Sequence, residues 1–478
     1  MSALSLPPWG WWPLAFAGTA ALSWCLHDLP APRRLMAGMA FGLGFFGVGL
    51  WWMREFHVLG AALAVLIEAS FVALAALLTP RGRRGTLALP AAVVLSEAAR
   101  GLVPFGGVPL AGIALGQASG PIAGAARLGG ELVVLALSVL AGVGLAQMAR
   151  RRWLLTALAL GVVVGVVSLG AVSPDGGDGS AVATAVVQGG GRRGFLGVES
   201  DPQAVFDAQL AASAGLRPPL DLVLWPEDVI DVEEPLRDTP EGRSVAEVAR
   251  QTGSTVVAGV IETSSPDRFT NAAVAWSPEG EITARYDKVQ RVPFGEYIPW
   301  RGLVERVVDV SAVPRDAIPG RGPGLLRTAI GPVGVAISYE VFFSSRSRAA
   351  TREGAQVLTV PTNAASFSSS QVPAQEVAAA RLRAIENGRD LLQAAPTGYS
   401  AYIDHRGELL ARTTLGHRQV LQRPATMRTG RTVYAALGDG PILALGGLTL
   451  GLALGLSLAT RRQGRGRNRL PFPFPRRT

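Results

Sequence analysis

The sequence is poor in lysine, cysteine, histidine and charge of either sign. Of 45 basic side chains in 478 residues, one is a lysine, Lys288, and 44 are arginines. Lysine is a compact, tunable point charge, whereas arginine is a planar fork that stays charged. A chain this committed to arginine keeps an ammonium where a guanidinium will not serve, the alternative being survival by drift. The single cysteine, Cys25, excludes a disulfide within the chain, and its place in an apolar run predicts a buried, inert thiol. The four histidines, at 27, 57, 405 and 417, are scattered without metal-ligand spacing, so no metal and no dissociable cofactor is expected.

Charged residues make up 17% of the chain against 49% hydrophobic, and the mean hydropathy is +0.29. Such a balance puts part of the chain in lipid. Nearly uncharged runs, suited to crossing ~30 Å of hydrocarbon with about 20 residues, occur over 9–26, 35–53, 58–79, 86–103, 131–149 and 153–173, and again over 442–460. Residues 1–173 are therefore expected to form a six-span transmembrane domain, 442–460 a C-terminal transmembrane helix, and 461–478 a basic cytoplasmic tail. Residues 174–441, with regular charges and Pro/Gly punctuation, read as a water-exposed domain. A cleaved leader would not precede five further spans, so the first run reads as a membrane helix.

Arginines fall on alternate connections: Arg33 and Arg34, then Arg81, Arg83 and Arg84, then Arg150, Arg151 and Arg152, and finally Arg461 and Arg462. Short cytoplasmic loops collect Arg and Lys, so residues 174–441 are expected on the extracytoplasmic face of the plasma membrane. Orientation and anionic headgroups account for the net charge of +9, and no nucleic-acid partner is expected. Glu68, Glu97 and Arg100 lie in or beside apolar spans, where ionisable groups are costly. Glu97 and Arg100, three apart on one helix face, read as an internal ion pair, with a headgroup-facing role as the alternative. Trp9, Trp11, Trp12, Trp51 and Trp52 read as an interfacial belt.

Within 174–441, short apolar or β-branched runs bounded by turn residues predict strands over 182–190, 221–227, 255–262, 271–277, 331–338, 355–363 and 391–398. Helical patterns separate several of them, over 201–214, 243–251 and 375–389, the last with charges opposite its apolar face. A layered α/β domain with both sheet faces covered is expected. Glu227, Lys288 and Ser338 lie at or just after predicted strand ends, where side chains of an α/β domain converge on one crevice.

The order WPE (225–227), YDK followed by VPFGEY (286–297), SYE (338–340), PTN (361–363) and R-x-x-E-x-x-R (383–389) resembles the carbon–nitrogen hydrolase, or nitrilase, superfamily. The form YDKxxxVPFGEYxP is similar to its membrane-bound branch, the apolipoprotein N-acyltransferases, and SEAARGLVPFGGVPLAGIALGQASGP at 96–121 resembles that branch's loop after its fourth membrane helix. The resemblance covers nearly the whole chain. It implies an α-helical transmembrane bundle plus an α/β, nitrilase-like αββα sandwich. It implies a general base at Glu227, an oxyanion-stabilising ammonium at Lys288 and a nucleophile at Ser338, with Glu296, Tyr339, Glu340 and Asn363 in support. The activity implied is transfer of a fatty acyl chain from a membrane phospholipid, through residue 338, to the N-terminal amine of a diacylglyceryl-cysteine on a lipoprotein. In some actinobacteria the family's domain is fused to or paired with a polyprenol-phosphate mannosyltransferase, and the Arg- and Gly-rich composition makes such an enzyme a candidate partner.

Several positions depart from the pattern. The family's nucleophile is a cysteine, and position 338 is serine. A thiol of pKa about 8.5 supplies some thiolate near neutrality, while a hydroxyl needs stronger activation. A serine ester also yields more slowly to an amine than a thioester does. Ala364 and Ser366 stand where the family has an acid and a tryptophan, and seven spans replace the usual eight, as though the first family helix were missing. Two origins of the serine stay open, a substituted variant and a natural paralogue. The function is accordingly expected to be an impaired N-acyltransferase, or else a weak or inactive paralogue that binds lipid or lipoprotein or scaffolds another membrane enzyme. Hydrolysis of small amides is disfavoured by the spans and the VPFGEY extension.

Overall fold

The computed structural model describes residues 1–306 and 309–467, the side chains of Val198 and of 460–467 excepted. Six helices precede the large domain: α1 (Pro13–Leu26), α2 (Ala31–Gly49), α3 (Val58–Leu78), α4 (Gly85–Arg100), α5 (Ala126–Ala149) and α6 (Trp153–Val172). A further helix, Gly440–Arg467, follows it. Val58–Leu78, Ala123–Ala149, Trp153–Val172 and Gly440–Ala459 are long and apolar enough to cross a membrane. The helices α1 and α4 have 14 and 16 residues, and α2, with 19, opens on Arg33 and Arg34. The basic tail expected over 461–478 lies outside the described residues from 468 onward.

Connections at the two ends of the bundle differ in chemistry. At one end Arg81 Nε donates to Leu29 O at 2.7 Å, the Gly82 amide to His27 O at 2.9 Å, and Arg150 Nη2 to Trp24 O at 2.8 Å. The arginine-rich turns after α1, α3 and α5 are thereby gathered. At the other end, about 28 Å along α2 at 1.5 Å per residue, the α2 carbonyls of Val48 and Gly49 accept from Gln371 of the large domain at 2.8 and 3.1 Å. Inside the bundle the Arg100 guanidinium is buried between two carboxylates, Glu68 at 3.0 Å and Glu97, and also donates to Val108 O and Leu110 O at 2.7 and 2.8 Å. A buried charge persists only when paired and hydrogen-bonded in this way. The expected ion pair is present, and Glu68 completes it.

The large domain contains fourteen strands among the described residues: β1 (Gly179–Gln188), β2 (Leu222–Leu224), β3 (Ile230–Val232), β4 (Thr255–Ser265), β5 (Arg268–Trp276), β6 (Ile282–Asp287), β7 (Asp316–Ala317), β8 (Leu325–Thr328), β9 (Gly331–Val335), β10 (Val357–Pro361), β11 (Leu391–Ala394), β12 (Ala401–Ile403), β13 (Leu409–Arg412) and β14 (Gln419–Arg428). One sheet has the order β14-β1-β2-β4-β5-β6, with β3 beside β4 and β7 beside β5. The other runs β13-β12-β11-β10-β9-β8. Parallel pairing holds at the centre of each, β1-β2-β4 and β9-β10-β11, and antiparallel pairing toward the edges.

Side chains alternate across a strand, and here both faces are buried. Leu222, Leu224 and Val257 of the first sheet meet Val333, Val335 and Leu392 of the second in the core between the sheets. The intervening Val223, Val256 and Ala258 pack outward against Phe206, Val245 and Val248, carried by helices Pro202–Ser213 and Pro240–Thr252. On the far side Leu358, Val360 and Leu391 share a core with helix Gln371–Asn387 and with Leu22, Phe46 and Val143 of the N-terminal helical bundle. The domain is thus an αββα sandwich whose second helical layer rests on the bundle.

The structure departs from the sequence reading at three places. The helix expected over 375–389, with charges opposite its apolar face, buries both sides: Glu376, Arg383 and Glu386 are all buried, because sheet covers one face and α5 the other. Arg383 is held by Glu131 of α5 at 2.7 Å and by Glu386 at 3.1 Å. Glu131 lies just past a break in α5 at Gly129 and Gly130; Gly130 has φ +69°, and a Cβ there would meet the Tyr434 ring at 2.6 Å. Cys25 is exposed rather than buried, lying beyond the α1 stripe of Ala15, Gly18, Thr19, Leu22 and Leu26. Trp52 is no belt residue, being buried edge-on against Phe367 of the domain at 5.0 Å.

Candidate active site

Three strand ends bring polar side chains into the domain's interior. Glu227 follows β2 in the turn Trp225-Pro226-Glu227, which lies against β4 at Gly259. A Cβ on Gly259 would come within 2.3 Å of Glu227 Cα and 2.6 Å of Pro226 O, so only glycine admits the turn. Lys288 follows β6, its amide donating to Asn271 O at 2.8 Å. Ser338 follows β9 as the first residue of a short 3-10 turn, with φ +49°. A non-glycine residue held in the left-handed region stores strain, and such positions gather at functional sites.

Glu227, Lys288 and Glu296 form one cluster. Lys288 Nζ, 2% exposed, donates to Glu227 Oε1 at 2.8 Å and to Glu296 Oε1 at 2.6 Å. Asn271 Nδ2 donates to the same two oxygens at 2.9 and 3.2 Å. Burial works against the ammonium, but the two carboxylates outweigh it and hold its pKa above the ordinary lysine value. Glu296 is itself fixed through Oε2, which accepts from the Val292 amide at 2.9 Å.

Glu340 ties the lysine segment to the serine segment. Its Oε1 accepts from the Val289 and Gln290 amides at 2.9 and 3.1 Å and from Tyr286 Oη at 2.8 Å, while Oε2 accepts from the Ile337 amide at 2.9 Å. One fully buried carboxylate thereby sets the spacing between Lys288 and Ser338. Tyr339 turns the other way, its hydroxyl donating to Gly107 O of the α4–α5 connection at 3.0 Å. Asn363 bridges two turns: Nδ2 donates to Asp228 Oδ2 at 3.3 Å and Oδ1 accepts from the Ala365 amide at 2.9 Å.

Ser338 shares no hydrogen bond with Glu227 or Lys288 among the described residues. Its Oγ lies 3.2 Å from Thr362 Oγ1, which in turn lies 2.8 Å from Glu376 Oε1. Sequence reasoning missed both Thr362 and Glu376. Thr362 sat inside the PTN motif, but Glu376 had no signal beyond being an acid in a helical pattern with charges opposite its apolar face. Chemically, the arrangement offers a carboxylate to take a proton, a fixed cation for developing negative charge, and a hydroxyl on a strained turn.

Family models match both parts of the chain. Residues 1–145 match the apolipoprotein N-acyltransferase N-terminal domain and residues 183–432 the carbon–nitrogen hydrolase domain. An apolipoprotein N-acyltransferase of Mycolicibacterium smegmatis is 30% identical over 480 residues, covering 92% of this chain and 80% of that protein. One from Ralstonia nicotianae is 30% identical, covering 94% and 90%, and one from Vibrio cholerae is 27% identical, covering 94% of each. Among solved structures, an amidase of Nesterenkonia sp. AN1 aligns with 52% of this chain and 91% of its own at 23% identity and a TM-score of 0.38. With both domains matched in order and relatives aligned along nearly its whole length, the chain belongs to the apolipoprotein N-acyltransferase family, the membrane-bound carbon–nitrogen hydrolases.

Proposed function

We propose that the protein transfers a fatty acyl chain from a membrane phospholipid to the N-terminal amine of a diacylglyceryl-cysteine lipoprotein, through an ester on Ser338. The observation that carries this reading is the buried Lys288 ammonium clasped by Glu227 and Glu296, on a segment that Glu340 ties to the turn of Ser338. In the first half-reaction Ser338 Oγ attacks the phospholipid ester carbonyl and its proton passes to Glu227. Lys288 stabilises the tetrahedral oxyanion, and the lysophospholipid leaves with the proton from Glu227. In the second, the lipoprotein amine attacks the Ser338 ester, Glu227 takes the amine's proton and returns it to Oγ, and the amide is released. Glu296, Glu340 and Asn363 act by holding these groups in place, and Tyr339 by anchoring the serine turn to the bundle.

The reading sets the domain on the extracytoplasmic face of the plasma membrane, beside the lipid that supplies its donor. The arginine-rich turns at the far end of the bundle support that orientation, which requires an even number of crossings before the domain, six in this proposal, and one after it. Serine makes the second half-reaction the slow one, since an ester yields less readily to an amine than a thioester. Incubation with phosphatidylethanolamine and a synthetic diacylated lipopeptide tests the function. Mass spectrometry is expected to find the lipopeptide gaining one acyl chain, faster with Ser338→Cys than with serine. No acylated lipopeptide from either form would reject the transferase.

A second reading is favoured by Ser338 together with Ala364 and Ser366, all departures from the pattern implied by the family. The chain would then be a weak or inactive paralogue that binds lipid or scaffolds a partner such as a polyprenol-phosphate mannosyltransferase. Retention of that enzyme's activity in membranes lacking this chain would count against the scaffold.

A further inference from the structure

The wall behind Ser338 holds an acid that the reaction above does not use. Glu376 is 3% exposed on helix Gln371–Asn387. Its Oε1 meets Thr362 Oγ1 at 2.8 Å, and Thr362, wholly buried just past β10, meets Ser338 Oγ at 3.2 Å. The other carboxyl oxygen, Oε2, is buried with no hydrogen-bond partner among the described residues. A hydroxyl has one proton to donate, so Thr362 cannot donate to both of its neighbours at once. If Glu376 is ionised, Thr362 donates to it, and Ser338 bonds Thr362 only by spending its own proton there. If Glu376 is protonated, it donates to Thr362, Thr362 donates into a lone pair of Ser338, and the serine proton is left for the base.

We propose that Glu376 is a positioning residue which, through Thr362, sets the direction of the Ser338 hydroxyl proton, with the protonated acid as the competent form. This inference rests on Ser338 being the nucleophile of the reaction proposed above. The unpartnered Oε2 argues for the neutral acid, because an ionised carboxylate would leave a charged oxygen buried without a donor. Burial pushes Glu376 up to about 8; the Thr362 hydrogen bond opposes this, the Glu227 carboxylate adds to it, and the Lys288 ammonium opposes it. Those are the groups that reach the acid from the sheets. Glu131 of α5 and the acid's own helix neighbours Arg383 and Glu386 are engaged with one another about two to three turns away.

The test uses the full chain in detergent and a fluorophosphonate probe, with Ser338 labelling followed by peptide mass spectrometry from pH 6 to 10. In that step Ser338 Oγ bonds to phosphorus, fluoride leaves, and the serine proton passes to Glu227. The expected rate falls above pH about 8, approaching tenfold per unit for loss of one proton. Glu376→Gln, whose amide donates to Thr362 at every pH, is expected to lack that descending limb. Thr362→Val should label about tenfold more slowly at pH 7 and also lack the limb, whereas Thr362→Ser should restore the parent profile. The same descending limb in Glu376→Gln, or parent-like labelling of Thr362→Val, overturns the proposal. Absence of Ser338 labelling at every pH overturns it too. Phosphatidylethanolamine is run in parallel: the labelling profile described above without acyl transfer would remove the phospholipid reading and leave the relay standing.

Discussion

Replacing Lys288 by methionine removes the ammonium that Glu227 and Glu296 share. Their Oε1 atoms hydrogen-bond the same nitrogen at 2.8 and 2.6 Å, so they stand no more than about 5.4 Å apart. At an effective dielectric of ~20, two unit charges at that separation repel by about 3 kcal/mol. Both acids are largely buried, and breaking such a pair costs about 3–5 kcal/mol. In a domain of this size, 3 kcal/mol corresponds to a fall in Tm of about 6–12 °C. Lys288→Met is therefore expected to melt lower than the parent at pH 7.5 when followed by tryptophan fluorescence in detergent. Lys288→Met/Glu296→Gln, which removes the surplus charge, is expected to regain most of the loss while acyl transfer stays down by about 10²–10³-fold for want of the oxyanion cation. A double variant no more stable than the single one would refute the reasoning, because the penalty would then not come from unbalanced carboxylates.

Gly259→Ala pushes a Cβ into the backbone of Pro226 and Glu227, and a displaced base should cost about 10²-fold in Ser338 acylation, measured by intact mass. Glu340→Gln replaces one of the two acceptor oxygens by an amide donor in a site where Tyr286, Val289, Gln290 and Ile337 all donate, so at least one donor loses its acceptor and faces an N–H; a loss of about 3 kcal/mol in thermal stability is expected, and an unchanged Tm would contradict it. Glu376, pushed up to about 8 by burial, binds its proton more tightly folded than unfolded. Its neutral form is therefore favourable at low pH, and stability is lost as pH rises from about 4.3 toward 8, by about 1.4 kcal/mol per unit. Glu376→Gln should accordingly gain in Tm over the parent between pH 5 and pH 8, and a constant difference would contradict the shift.

All seven strands expected in the domain are present, because central strands buried on both faces, such as β2 and β4, read as plain apolar runs. The strands that escaped notice lie toward the edges. β14 carries Arg423, Pro424 and Arg428 and is only partly buried, and β6, reading ITARYD, shows water five of its six residues in part. Such strands are defined by their neighbours rather than by their own composition. The convergence of Glu227 and Lys288 was legible from strand ends, and Glu296 followed from the family pattern. Glu376 was not legible, because the amphipathic pattern of its helix cannot reveal that a second apolar layer, the membrane bundle, covers the polar side. The exposure of Cys25 went unread for a related reason: an apolar run does not say which of its faces meets protein.

Intact mass of the purified chain after incubation with phosphatidylethanolamine, followed by peptide mapping, tests the central claim most directly. The account predicts a gain of one fatty acyl group, lost on Lys288→Met, mapped to Ser338 and persisting until a diacylated lipopeptide is added. An unmodified chain, when Ser338→Cys under the same conditions is also unmodified, would contradict it, as would an acyl group mapped to any residue other than Ser338.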